Sequence, residues 1–228
     1  MIGNIRLRDL PWDIVSILCC AGGNPHPWRD DLHDVASPSS RPAPTASQTV
    51  GPFFSIGLCP DRAGNPVSAV IAAGSKVVSI RGRIRDGDGQ AVPDAVLEIW
   101  RANDRGEYAG SQDECDAGGV PSGFARIPTN ELGEFEFATL KPGPTTGDNG
   151  EVHAPHLTVL IFMRGLLRHL VTRIYFSQDS ANARDPVLGA VPEGRRATLM
   201  AQQIAGNENE LRWDVYLQGD TETVFFEA

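Results

Sequence analysis

Three tyrosines and five histidines in 228 residues are few enough to weigh one at a time. Tyr108 sits just after a glycine-containing turn, in Gly106-Glu107-Tyr108. His153 and His156 flank the entry to an apolar run, with His156 inside Ala154-Pro155-His156-Leu157-Thr158. His169 opens the next strand-like stretch, whereas His26 and His33 lie in a polar, Pro-containing segment and read as solvated. Imidazole is a common metal ligand. A single histidine at a strand edge is nevertheless more often a hydrogen-bonded structural residue, and a single buried tyrosine is a packing aromatic with its hydroxyl satisfied. Taken one by one, these residues make no site.

The composition excludes several classes. The formal charge of −9, from 29 acidic and 20 basic residues, leaves no basic face for nucleic acid. No segment approaches the ~20 apolar residues needed to cross a bilayer. Cys19, Cys20, Cys59 and Cys115 form no CxxC pair, so neither a zinc ribbon nor a disulfide framework is expected. Reduced thiols point to a cytoplasmic protein.

The elements that must position any site begin at Val77. Val77–Ile84 is rich in strand formers and ends at Asp86-Gly87-Asp88-Gly89, where Asp-Gly supplies a tight turn. Val96–Trp100 follows, then a second turn at Asn103-Asp104-Arg105-Gly106. Gly133–Ala138 alternates acid and aromatic, which predicts a half-buried strand with Phe135 and Phe137 inward. Lys141-Pro142-Gly143-Pro144 breaks it. Leu157–Met163 is almost wholly apolar, the mark of a strand buried on both faces. Thr172–Phe176, Leu211–Leu217 and Thr223–Phe226 complete the strands, and only Gly194–Ile204 reads as a helix. Many short strands between turn signals predict an all-β sandwich with long loops and little helix.

Residues 1–41 read differently. Ile14–Ala21 is a short apolar run behind Arg6 and Arg8, but Asp9, Pro11 and Asp13 interrupt its approach and no small-x-small cleavage site follows before Pro25. The expectation is a disordered extension, or an artefact of the assigned start, ahead of one domain over residues 42–228.

Over about residues 42–228 the chain resembles the intradiol ring-cleavage dioxygenases. The resemblance rests on Ser47-Gln48-Thr49-Val50-Gly51-Pro52-Phe53-Phe54 with Ile56-Gly57-Leu58, then Ile80–Ile84, Leu97-Glu98-Ile99-Trp100 and Gly106-Glu107-Tyr108. It continues through Leu140-Lys141-Pro142-Gly143, Ala154-Pro155-His156, Arg164-Gly165, Thr172–Phe176 and Gly219–Phe226. It implies the sandwich of that family, with residues 45–58 as a site-lining segment. Members bind ferric iron through two tyrosines and two histidines, a hard phenolate donor favouring the ferric state and imidazole suiting iron. The metal polarises a bound catecholate and orients it for attack by O2.

Carried over residue by residue, Tyr108 falls on the first tyrosine and His156 on the first histidine. Thr145 stands at the second tyrosine and Thr158 at the second histidine, so two of the four ligands are lost. The family member that cleaves protocatechuate pairs α and β chains of one fold, with Fe3+ held by the β subunit. The incomplete ligand set, the Thr49-Val50-Gly51-Pro52 opening and the Gly219–Phe226 ending resemble its α chain. That resemblance implies no metal in this chain, with Tyr108 and His156 vestigial. It implies a hetero-oligomer of α–β protomers, and a reaction of protocatechuate with O2 that gives 3-carboxy-cis,cis-muconate in the β-ketoadipate pathway. This chain would line the β-held site through Thr49, Gly51, Pro52 and Arg164. A guanidinium offers a planar fork to the substrate carboxylate, and Gly51-Pro52 a stiff wall. Arg164 is further expected at the end of a buried strand, where an uncompensated cation is costly. Two other readings stay open: an independent dioxygenase in which His153 or an acidic side chain replaces the lost ligands, and a non-enzymatic sandwich that binds.

Overall fold

In the computed structural model of the chain, the described residues are 5–6, 45–59, 77–108, 123–147 and 149–227. The expected extension over 1–41 lies outside them, apart from a two-residue strand β1 (Ile5–Arg6) running parallel to β13 (Phe226–Glu227).

Strands β2 (Val77–Arg85), β3 (Val96–Arg101), β4 (Phe124–Pro128) and β5 (Glu134–Leu140) come first. A small hairpin of β6 (Thr145–Thr146) and β7 (Val152–His153) leads into β8 (His156–Phe162) and β9 (Leu170–Phe176). β10 (Met200–Ile204), β11 (Asn207–Arg212) and β12 (Val215–Tyr216) complete the domain. The spatial order is β4-β3-β8-β9-β10-β11-β2-β5, with β12 beside β2 where β11 leaves it. One strand serves both layers. Met200 and Ala201 of β10 pair with the end of β9, while Gln202–Ile204 of the same strand pair with β11. The result is a sandwich whose sheet nearly closes on itself.

Period-two alternation builds the core. Val78, Ile80 and Ile84 of β2 and Phe135 and Phe137 of β5 face Leu97 and Ile99 of β3 and Leu157, Val159 and Ile161 of β8. β8 is buried along nearly its whole length because its other face is covered too. There Tyr175 of β9 packs beneath α2 (Pro186–Ala190) with Val187, Leu188, Val191, Leu199, Val224 and Phe226. Asp185 caps α2 by accepting the Leu188 N–H, and Pro186 takes the first helical position, where no N–H is missed.

Three sequence expectations are corrected here. Gly194–Ile204 is not one helix: α3 (Glu193–Arg196) and a single 3-10 turn (Ala197–Leu199) give way to β10 at Met200. Leu211–Leu217 is split between β11 and β12, and of Thr223–Phe226 only Phe226 enters a strand. Among the described residues the remaining helices are α1 (Phe54–Leu58), within the N-terminal segment, and a 3-10 helix over Ser180–Arg184.

Candidate functional site

On the outer face of β8 and β9 the cross-strand register sets the residues. His156 lies opposite Tyr175 and Thr158 opposite Arg173. Thr145 opens β6 directly across from His153 of β7, and the His153 and His156 ring centroids are 6.2 Å apart. Tyr108 arrives by a constrained route. Gly106 has φ of +83°, and a Cβ there would overlap the Pro144 carbonyl, so only glycine lets this loop lie on the β6 hairpin. The four positions singled out in the sequence thus sit in one neighbourhood.

A cation fills that neighbourhood. Arg173 is 1% exposed, and its Nη1 donates to the Tyr175 hydroxyl at 3.3 Å. That hydroxyl donates onward to Asp185 Oδ1 at 3.2 Å. Asp185 also accepts the N–H groups of Ala154 and Leu188, each at 2.8 Å. His153 Nδ1 stands 3.9 Å from its other oxygen. Burial opposes charge on Arg173, but Tyr175, Tyr108 and Asp185 outweigh it and raise its pKa. Burial pushes the Tyr175 phenol up, so it stays protonated and able to donate. Burial, reinforced by the Arg173 charge, holds His156 well below the usual histidine range. The neutral ring uses Nδ1–H toward the Ala154 carbonyl at 2.8 Å, leaving the lone pair on Nε2.

These residues do not fit a ferric ion. The hydroxyls of Thr145 and Thr158 are buried without a hydrogen-bond partner, and a neutral alcohol replaces neither a phenolate nor an imidazole. Among the described residues no cluster of three or more His, Cys, Asp or Glu is placed to hold a metal. His153 faces Asp185 beside a guanidinium, which gives no support to an independent iron site rebuilt around it.

Neutral His156 has a pH consequence. Its folded pKa lies below its unfolded value near 6.5, so below that pH the unfolded chain binds the extra proton and stability falls as pH drops. Between pH 6.5 and 5.5 this removes about 1 kcal/mol. Denaturant titrations at both pH values should show His156→Gln with a loss smaller by that amount. An unchanged pH dependence in the variant would assign the loss to other groups.

The second group of predicted residues lies on the surface. The Thr49 hydroxyl accepts the Gly165 N–H at 2.8 Å, which holds the N-terminal segment against the turn after β8. The Phe54 ring lies 6.2 Å from that of Phe162 in the same contact. Gly51 and Pro52 are exposed beside it. Arg164 corrects an expectation. β8 ends at Phe162 and the chain turns, so the Arg164 side chain is 54% exposed and pairs with Asp94 at 3.0 Å. It is neither buried nor uncompensated. Thr49 and Arg164 are brought together, whereas Tyr108, His156, Thr145 and Thr158 form a separate interior group.

The residues that the sequence reading assigned no role are Arg173, Tyr175 and Asp185. One signal was there: an arginine between Thr172 and Ile174, in a strand otherwise free of charge, has no solvent face to use. Asp185, before Pro186, carried only the mark of a helix cap.

Residues 51–219 match the family described as "Dioxygenase". The protocatechuate 3,4-dioxygenase alpha chain of Burkholderia cepacia is 42% identical over 196 residues, 81% of this chain and 97% of that one. The beta chain from the same organism is 32% identical over 133 residues, 57% of this chain and 56% of the other. In fold, the hydroxyquinol 1,2-dioxygenase of Pseudomonas putida DLL-E4 superposes with a TM-score of 0.52 at 22% identity, covering 82% of this chain and 69% of that one. With three quarters of its length matched and a relative this similar along almost all of its own chain, the protein belongs to the intradiol ring-cleavage dioxygenase family.

Proposed function

We propose that this chain is the α chain of a protocatechuate 3,4-dioxygenase. With an iron-holding β chain of the same fold it opens the protocatechuate ring between the two hydroxyls, consuming O2 and yielding 3-carboxy-cis,cis-muconate. The observation that carries the reading is the interior site itself, where a buried guanidinium and two threonines stand among the family's ligand positions. The ferric iron then belongs to the partner, and this chain's contribution is a wall. Among the described residues no helix is long and apolar enough to cross a membrane; the cytoplasm is assigned from the cysteine usage alone.

In this reading Arg164 releases Asp94 and turns its fork to the substrate carboxylate, while Gly51 and Pro52 bring rigid backbone against the ring. Thr49 holds that segment on the β8 turn through Gly165. Support for a partner comes from the same face. Phe53 is 76% and Leu167 64% exposed, beside a groove of about 490 Å³ lined by Val50, Phe162, Met163 and Phe225. Exposed apolar side chains gathered around a groove mark an interaction surface.

The test is co-purification with a β chain. The chain alone should be colourless and lack stoichiometric iron, and the two together should carry iron and turn over protocatechuate. In that complex Arg164→Ala removes a charge-assisted hydrogen bond of about 1.5–3 kcal/mol, cutting kcat/KM for protocatechuate roughly tenfold to a hundredfold. Most of the loss should fall on KM, with catechol, which has no carboxylate, much less affected. Near-equimolar iron in the chain alone, or equal losses on both substrates, would contradict these assignments.

A further inference from the structure

We propose that Arg173 is the resident cation of the interior site, and that this guanidinium, in addition to the two lost ligands, keeps the site free of metal. Its place in the fold carries the argument. Arg173 is cross-strand from Thr158 on the face that also presents His156 and Tyr175, and its charge acts on both His156 and Tyr108. It therefore bears on three of the four positions, and the fourth, Thr145, lies across from His153, next to His156. A charge this deeply buried persists only when compensated. The compensation is the relay through the Tyr175 hydroxyl to Asp185, itself anchored by two backbone N–H groups.

Two consequences follow for a metal ion at the same place. A multivalent cation would be repelled at close range in surroundings that screen charge poorly. A tyrosine restored at position 145 would also give its phenolate to the guanidinium as an ion pair before any metal competed. Arg173 Nε, buried and without a hydrogen-bond partner, is a further donor inside the site. Restoring ligands alone should therefore fail.

This inference rests on the reading above that the chain holds no iron of its own, and the experiment separates the two. The full-length chain is prepared as Thr145→Tyr/Thr158→His and as Thr145→Tyr/Thr158→His/Arg173→Gln. Both are equilibrated with ferrous iron in air and desalted. Iron per chain is measured by mass spectrometry, and visible absorbance reports tyrosinate bound to ferric iron. The double variant should remain colourless, and the triple variant should retain about tenfold more iron or better and become coloured. Removing Arg173 strands Asp185, so if the triple variant does not fold, the same comparison is made with Arg173→Gln/Asp185→Asn, which removes both charges together. Equal iron in the variants with and without Arg173, whether high or low, overturns the role given to it. Stoichiometric iron in the unmodified chain overturns instead the reading of the chain as iron-free.

Discussion

Asp185→Ala is expected to lower the midpoint of thermal unfolding by roughly 6–20 °C. The carboxylate accepts the Ala154 and Leu188 N–H groups and the Tyr175 hydroxyl. Its removal orphans two buried backbone donors and leaves Arg173 without its anion. Breaking a buried pair by deleting one partner costs about 3–5 kcal/mol, and a chain of this size loses roughly 2–4 °C per kcal/mol. Asp185→Asn keeps one acceptor and should fall between the wild type and Asp185→Ala by calorimetry. The double variant Asp185→Ala/Arg173→Met should recover part of the loss, because no charge is then stranded. If the losses of the two single variants simply add in the double variant, Arg173 and Asp185 are not coupled through Tyr175.

The second large effect lies in β2. A Cβ at Gly82 would overlap the backbone carbonyl of Trp213 and press on the Phe135 ring. Neither neighbour can step aside. The Trp213 N–H is bonded to the Arg81 carbonyl at 3.0 Å, and Phe135 lies in the core beside Trp213. Overpacking a core costs about 1–3 kcal/mol when side chains can adjust, and more when they cannot. Gly82→Ala is therefore expected to lower the unfolding midpoint by at least roughly 6 °C. Gly189→Ala is the control. It lies in α2 with open space where the methyl would go, so it should be neutral or stabilising by up to about 1 kcal/mol. Similar melting of the two variants would contradict the packing seen at Gly82.

How far the sequence could be read depended on where the information lay. The strands with their own periodicity, such as Glu134–Leu140 with Phe135 and Phe137 inward, stand almost where alternation puts them. β10 could not be found that way. Ala201, Gln202 and Gln203 are tolerant of helix, and they are extended because Phe176 on one side and Arg212 on the other supply pairing partners. Tertiary pairing overrides local preference there. The interior site was half legible. Resemblance located Tyr108, His156, Thr145 and Thr158, but not the Arg173–Tyr175–Asp185 relay that fills the space among them, since ten residues and a change of element separate Tyr175 from Asp185. The exposure of Arg164 was illegible for a smaller reason. The apolar run continues to Met163, whereas the strand ends one residue earlier and the next residues turn into solvent.

The parallel pairing of β2 with β11 sets a schedule for the newborn chain. The Arg83 N–H finds its acceptor in Asp214, 131 residues downstream. At 5–20 residues per second, roughly 7–26 s of synthesis separate the first strand from the segment that completes it. β5 can cover one edge early, but the other stays open, and an open strand edge invites pairing with other chains. β2 carries its own deterrent: Arg81, Arg83 and Arg85 alternate with the inward Ile80 and Ile84. Their mutual repulsion resists stacking of one nascent β2 on another. Only when Glu210, Glu134 and Asp214 are in place do the ion pairs to Arg81 and Arg83 and the bond to the Arg83 amide form. All three arginines guard the edge during synthesis, and Arg81 and Arg83 then help to seal the strand in place.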